Sequence, residues 1–264
     1  MSTKSFKQFF TERRYGEGGL EYEDEVRKAI AQASPELSNF DVLPDMAGGF
    51  ASNVVDLYAV IDGKQYGFEI KQNANAQMGG SSIQFSKGKF SFAAAGAKAI
   101  DPDTQLLIQA ELKGIKKPIG ELFRFLRSQD PKDFHKKIET IPFTATKEAF
   151  IAAKEEGLLI PLNVKVSRDA TFIHDHYNKK GCHYMQIGGA GLFYLKKNPL
   201  NLPIPQLKGS IDIEIRLGRA GSRMIKSIGM EAAGCGLRAQ ARFKGESVSP
   251  YSLDNYEHVL ELFD

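Results

Sequence analysis

The stretch VVDLYAVIDGKQYGFEIKQN, from Val54 to Asn73, constrains the fold of this chain more than any other. Asp62-Gly63 near its middle is a two-residue hairpin signal, because both central positions of a type I′ turn need positive φ. A turn there pairs Ile61 with Lys64 and Val60 with Gln65, and the ladder carried down sets Asp56 opposite Glu69. Side chains alternate between the two faces of a strand. Leu57, Ala59, Ile61, Phe68 and Ile70 therefore share an apolar face made for packing, while Asp56, Glu69 and Lys71 gather on the other.

Carboxylates directly opposite each other on a ladder repel and destabilise it. Lys71 offsets part of that repulsion. A divalent cation offsets more, since Mg2+ is commonly held by one or two carboxylates together with water and phosphate oxygens. The same face offers what phosphodiester hydrolysis requires: a metal that polarises the phosphoryl group and acidifies water, and a lysine beside the attacking oxygen. The plainer alternative is an amphipathic hairpin whose polar face is solvated.

Around the hairpin, apolar Leu20, Val26, Ala29, Ile30 and Ala33 recur at helical spacing with acids in the first turn, so Leu20 to Ala33 reads as a helix stopped by Ser34-Pro35. Asp103 to Leu112 contains the run LLIQAEL and reads as a strand. Helices are expected over Gly120 to Ser128, with Leu122, Phe123, Phe125 and Leu126, and over Thr146 to Glu156, with Ala149, Phe150 and Ala153. After Pro161 short alternating runs (VKVSR, YMQI, LFYL, IDIEIR, LRAQARF) are broken by Gly, Pro and Asn clusters. The expected organisation is thus an αβ region over 1–160 and a β-rich region over 161–264, either a separate domain or a continuation of one sheet.

A length of 264 residues with 42% hydrophobic and 25% charged residues is ordinary for a globular chain and argues against disorder or a fibrous protein. No apolar run approaches the length of a membrane span. Met1 to Arg14 shows no secretory pattern, and two cysteines, Cys182 and Cys235, are too few for a disulfide framework, so a reducing, cytoplasmic setting is the expectation. The net charge of +3 hides an uneven distribution. From Lys165 to Lys244 fourteen Lys and Arg face five Asp and Glu, a net +9, whereas residues 1–160 hold 21 basic and 22 acidic residues. A basic region of that kind attracts a polyanion, or is simply a solvated surface.

Asp56, then Glu69-Ile70-Lys71 on the next strand, preceded by an acidic helix, resembles the PD-(D/E)xK nuclease superfamily, which includes many type II restriction enzymes, junction resolvases and repair nucleases. The resemblance spans about residues 15–112 and implies an α/β (α+β) fold with a restriction-endonuclease-like αβββαβ core. It implies Asp56 and Glu69 as Mg2+ ligands, with Mn2+ able to substitute, the Ile70 carbonyl as a further ligand, and Lys71 orienting or deprotonating the attacking water. The superfamily often adds a glutamate from the first helix, in a pattern like aromatic-Glu-x-x-Val-x-x-x-Leu. Tyr22-Glu23-Asp24-Glu25-Val26, followed by Ile30, fits and nominates Glu23. The departure is Val55 before Asp56, where the superfamily's motif has proline. A literal Pro44-Asp45 lies upstream and makes Asp45 a rival, but the hairpin register favours Asp56.

The expected function is a Mg2+-dependent endonuclease that cuts duplex DNA sequence-selectively and leaves 5′-phosphate ends. The basic region would hold DNA through Arg216, Arg219, Arg223, Lys226, Arg238 and Arg242. A homodimer would suit two-strand cutting, and no membrane is involved. Two alternatives stand: a nuclease for junctions, DNA ends or RNA, and a nucleic-acid-binding protein without catalysis. Among weaker signals, Gln84 resembles a glutamine that some relatives carry after the ExK strand, with a polar loop as the plainer reading. Lys87 and Lys89 are equally weak phosphate contacts. His174, His176, Cys182 and His183 surround Asn178 to Gly181, where a β-turn with surface histidines is preferred to a zinc site. The glycine clusters 188–191 and 218–223 read as hairpin loops or as backbone approaches to phosphate.

Overall fold

The computed structural model describes residues 17–42, 55–92, 100–129, 138–158, 164–225, 230–245 and 248–264. They form a mixed αβ protein of two compact units, with elements numbered here along the whole chain. One unit takes residues 1–76, 177–207 and 247–264, and the other takes 77–176 and 208–246. This partition cuts across the division near residue 160 that the change in sequence character implies. The reason is topological: strands from both halves of the chain pair in each of the two sheets.

The first unit contains α1 (Glu17–Ala33), β1 (Phe40–Val42), β2 (Leu57–Ile61), β3 (Lys64–Lys71), the end of α5 (His174–Lys180), β8 (Cys182–Ile187), β9 (Gly191–Tyr194) and α6 (Tyr256–Phe263). Its hairpin has the register dictated by the turn. Asp62 and Gly63 take φ of 50° and 70°, and the β2–β3 ladder runs from Ile61 with Lys64 to Leu57 with Phe68. The sheet order is β1-β2-β3-β8-β9, with β3 and β8 parallel and the other neighbours antiparallel. A parallel pair needs a crossover. Here residues 77–176 of the second unit intervene before α5 returns the chain to β8. The apolar hairpin face lies in the core: Leu57, Ala59, Phe68 and Ile70 pack with Tyr22, Val26 and Ile30 of α1 and Val259 and Leu262 of α6. Leu20, expected in that stripe, is exposed, and Tyr22 takes its place.

Two glycines let the crossover reach the hairpin. A Cβ at Gly67, in the middle of β3, would overlap the carbonyl of Gly181, which itself takes φ +93° at the end of α5. Glycine C-terminal to a helix in this conformation is the usual stop.

The second unit contains β4 (Gln77–Ser86), β5 (Lys89–Phe92), α2 (Pro102–Leu112), α3 (Lys116–Gln129), β6 (Phe143–Thr146), α4 (Lys147–Glu155), β7 (Val164–Asp169), β10 (Ser210–Ile225) and β11 (Met230–Lys244). Its antiparallel sheet runs β5-β4-β11-β10-β7, with β6 pairing a further stretch of β11. One face is apolar: Ile211, Ile213 and Ile215 are buried with Leu237, Ala239, Ala241 and Phe243, while Asp212 on the other face is buried beside Ser167 and Lys165. A chain of ring contacts through Phe85, Phe123, Phe143 and Phe150 ties α3 and α4 to that apolar face.

Three expectations are corrected here. Asp103 to Leu112 is helical, not a strand: Asp101 caps the backbone N–H of Thr104, Pro102 occupies the first turn, and Thr104, Ile108 and Leu112 are buried at a spacing of four. Leu106 is 65% exposed, so the apolar run is only partly a core signal. His174 and His176 lie on a helix, with His174 buried, instead of beside a surface β-turn. Residues 218–223 lie within β10, where the ladder shifts between Ala220 and Ser222, instead of forming a loop. Residues 188–191 do make the β8–β9 turn, with positive φ at Gly189 and Gly191. Among the described residues no helix is long and apolar enough to cross a membrane.

Candidate functional site

β2 begins at Leu57, so Asp56 lies one residue before it, just outside the last ladder pair. Its side chain takes over from the ladder, with Oδ2 accepting the backbone N–H of Ile70 at 2.8 Å. A residue's N–H and C=O leave a strand on the same edge. The Ile70 carbonyl therefore points to the edge that Asp56 occupies, while the Ile70 side chain stays in the core. Arg27 of α1 donates to the Asp56 carbonyl at 3.1 Å and lies 3.7 Å from Glu23 one turn earlier, which ties the helix to this end of the hairpin.

Glu69 is the centre of the cluster. It is 3% exposed, and both oxygens are engaged: Oε1 with Lys71 Nζ at 2.6 Å, Oε2 with Lys180 Nζ at 2.8 Å. The Cys182 thiol lies 3.5 Å from Oε2. Tyr177, one turn before Lys180 on α5, places its ring 5.9 Å from Lys71 Nζ and 5.2 Å from Lys180 Nζ. Both ammonium groups are thus near an aromatic face as well as a carboxylate.

Burial sets the ionisation of these groups. It raises the Asp56 carboxyl, and the neighbouring charge of Glu69 adds to that rise against the pull of Lys71. Burial also raises Glu23, helped by Asp56 and opposed by Arg27. At Glu69 burial works the same way, but Lys71 and Lys180 outweigh it and hold the carboxyl below its ordinary range. Burial disfavours the Lys71 ammonium, and Tyr177, Glu69 and Asp56 more than offset this, so the amine stays charged. Cys182 is pushed up by burial and by Glu69, which keeps it a thiol and a poor nucleophile.

The hairpin thus brings together Asp56, Glu69, Ile70 and Lys71, and α1 adds Glu23 within electrostatic range. Tyr177 and Lys180 were not among the residues nominated from sequence, and Cys182 entered only in the disfavoured zinc cluster. The one local signal was Lys179-Lys180-Gly181, a basic last turn followed by glycine, which marks a helix end. Nothing in it pointed to Glu69, 111 positions earlier. Among the described residues no group of three or more His, Cys, Asp and Glu side chains is placed to hold a metal ion. The donors present are hard oxygens, two carboxylates and a main-chain carbonyl. That set suits a Mg2+ ion which keeps water and takes further oxygens from a phosphate, instead of a closed protein cage.

The other nominated residues lie in the second unit or outside the described residues. Arg216 and Arg238 are exposed and directly opposite each other on β10 and β11, and Arg242 is half-buried. Arg219 and Arg223 fall in β10, paired with Cys235 and Ala232; their side chains, Lys226 and the rival Asp45 are outside the described residues. Gln84 belongs to β4 of the second unit and not to the unit that carries Glu69. Lys87 and Lys89 are exposed at the β4–β5 turn. Compared with known proteins, the chain matches no family model, no curated protein and no solved structure, so the site is read from its own geometry.

Proposed function

We propose that the chain is a Mg2+-dependent DNA endonuclease of the PD-(D/E)xK type, cutting duplex DNA sequence-selectively and leaving 5′-phosphate ends. The observation that carries this reading is the buried cluster of Asp56, Glu69 and Lys71 at the end of the β2–β3 hairpin. The element order supports it: α1, three antiparallel strands β1 to β3, then α5 crossing to β8 parallel to β3, an αβββαβ succession interrupted by the second unit.

In this reading Asp56, Glu69 and the Ile70 carbonyl hold Mg2+, which supplies polarisation of the phosphoryl group and a more acidic water. Lys71, kept as an ammonium, orients the attacking water and neutralises charge that develops on the phosphate, instead of serving as the base. Lys180 holds the second oxygen of Glu69 and so fixes the plane of that carboxylate. Glu23, raised towards neutrality, accepts or holds a proton near Asp56. Arg216, Arg238 and Arg242 contribute the attraction for DNA.

A binding protein without catalysis is the second reading. The observation in its favour is that two ammonium groups already occupy both oxygens of Glu69.

The test is incubation of purified protein with plasmid and phage DNA, four-way junctions, single strands and RNA, with Mg2+, Mn2+ or EDTA, followed by sequencing of any ends. Duplex cutting that needs the metal and disappears in Asp56→Ala, Glu69→Ala and Lys71→Ala, with DNA binding retained, is the expected result. Preference for junctions, ends or RNA would redirect the substrate. Salt-sensitive binding with no cleavage of any form would select the second reading.

A further inference from the structure

The helix-free face of the second unit's sheet is polar from edge to edge. On β4, β11 and β10 the residues on this face include Gln77, Ser82, Arg238, Gln240, Glu214 and Arg216, with Arg242 opposite Asp212, and register places them side by side. Their planar groups are linked in a row. Gln240 Nε2 donates to Gln77 Oε1 at 3.4 Å, and Arg242 Nη2 donates to Gln240 Oε1 at 3.3 Å. Arg242 Nε lies 3.5 Å from Glu214 Oε2, which also accepts from Arg216 Nη2 at 2.5 Å. This row fixes which end of each amide carries oxygen and leaves further donors and acceptors facing outward.

Two features show what such a face suits. Arg216 and Arg238 are directly opposite, an arrangement of like charges that costs the sheet stability and that an anion relieves. Arg238 has no hydrogen bond or ion pair among the described residues. Lysines flank this row: Lys89 on β5, Lys244 at the end of β11, and Lys165 on β7, whose ammonium also pairs with Asp212. β-Sheet faces are among the elements that dock in DNA grooves. Among the described residues the face presents no aromatic side chain, the platform on which single strands stack.

We infer that this face receives the major groove of a DNA duplex, with Gln240, Gln77, Arg238 and Arg216 reading base edges while Lys89 and Lys165 meet phosphates. The inference rests on the reading of the chain as a DNA enzyme and names the surface that gives it selectivity. Glutamine matches the adenine edge and arginine the guanine edge, so the sites selected are purine-containing on the contacted strand.

The test is selection of full-length protein on a randomised duplex pool without Mg2+, then anisotropy titrations over a salt series on the selected duplex, a scrambled duplex and a single strand. Gln240→Ala and, independently, Gln77→Ala and Arg238→Ala are compared with Lys89→Ala and Lys165→Ala. Gln240→Ala and Arg238→Ala are expected to lower discrimination between selected and scrambled duplex on the order of tenfold, at one base position each. Lys89→Ala weakens all duplexes alike and reduces the salt slope by about 0.9. Selected sequences and discrimination unchanged in every central-strand variant would overturn the inference while leaving the nuclease reading intact. Single-strand binding as tight as duplex binding would overturn it too. Absence of any DNA binding by the wild-type protein would overturn both.

Discussion

Each of the two units sets acids and bases side by side on one face of a β-sheet, yet the two faces treat charge in opposite ways. In the first unit Glu69 is 3% exposed and held between two ammonium groups, with Asp56 8% exposed beside it. In the second, the side chains of Arg216 and Glu214 are 57% and 28% exposed. Water screens the second set, so each of its ion pairs contributes between zero and about 1 kcal/mol. The first set has lost its water, and every carboxylate or ammonium there depends on a specific partner. In the proposed nuclease the dry cluster would supply strong fields on a phosphate, while a surface that is to meet a polyanion would keep its charges solvent-accessible until contact. The contrast is open to direct tests.

The largest effect is expected at Glu69. Glu69→Gln removes the anion and leaves Lys71 and Lys180 facing each other in a dry site, which should destabilise the fold by about 3 kcal/mol or more in urea titrations and abolish Mg2+-dependent cleavage. Adding Lys180→Met to that variant should recover part of the stability, because one of the two stranded charges is then gone. A Glu69→Gln protein as stable as wild type would erase the distinction between the two faces.

Next comes the backbone that makes the cluster possible. Gly67→Ala puts a methyl against the Gly181 carbonyl, between Lys180 and Cys182. Backbone yields less readily than a side chain, so a loss of about 1–3 kcal/mol is expected. The clash also pushes Lys180 away from Glu69, and cleavage should fall with stability. Retention of both would mean that α5 can retreat without consequence. Gly245→Ala would be a poor control, since a Cβ there meets Phe243. Gly63→Ala, in the open hairpin turn at φ +70°, reports backbone strain without any clash.

These residues also show how far the sequence could be read. The hairpin was legible because its determinants are local: a two-residue turn fixes the register, and alternation fixes the faces. Asp56, Glu69 and Lys71 followed from that register. The α2 segment misled because LLIQAEL is apolar throughout, while the deciding signals, the Asp101 cap and the four-residue burial spacing, lay at its start and in its packing. Lys180 was out of reach for another reason. Its link to Glu69 depends on a parallel crossover completed only after about a hundred intervening residues, most of them in the other unit. No periodicity reports that connection. The interleaving of the two units was hidden in the same way, since strand pairing between distant segments leaves no local trace.

A smaller effect is expected from pH. The folded protein holds the Asp56 and Glu23 carboxyls above their ordinary range, so in the window just above ordinary carboxylate values it binds more protons than the unfolded chain. With more protons on the native state, stability falls as pH rises through that window. Glu69 has the opposite sign in a different window. Its carboxyl is lowered, so its contribution is complete above the ordinary value and is lost as pH falls through the depressed one. Urea midpoints measured from about pH 4 to 7 should decline gently with rising pH in wild type and less in Asp56→Asn. Identical slopes in the two proteins would contradict a buried, proton-holding Asp56. Mg2+ should flatten the wild-type slope, because the cation stabilises the ionised form that rising pH creates.

The smallest change in stability, and the clearest contrast with Glu69→Gln, is expected at Glu214. This carboxylate accepts from Arg216 and lies 3.5 Å from Arg242 on the exposed face, so it resembles Glu69 in serving two cations. Glu214→Gln strands no charge in a dry site, and its cost in urea should stay below about 1 kcal/mol. The face gains one net positive charge, so duplex binding should become tighter and more salt-dependent, with the gain mainly in association rate. Its selectivity should drop, because Arg216 and Arg242 lose the anchor that orients their guanidinium planes. Tighter but less selective binding from one substitution separates attraction from reading on a single surface. Unchanged selectivity would mean that the row from Gln77 to Arg216 is held by the sheet alone, with Glu214 serving only to lower its charge.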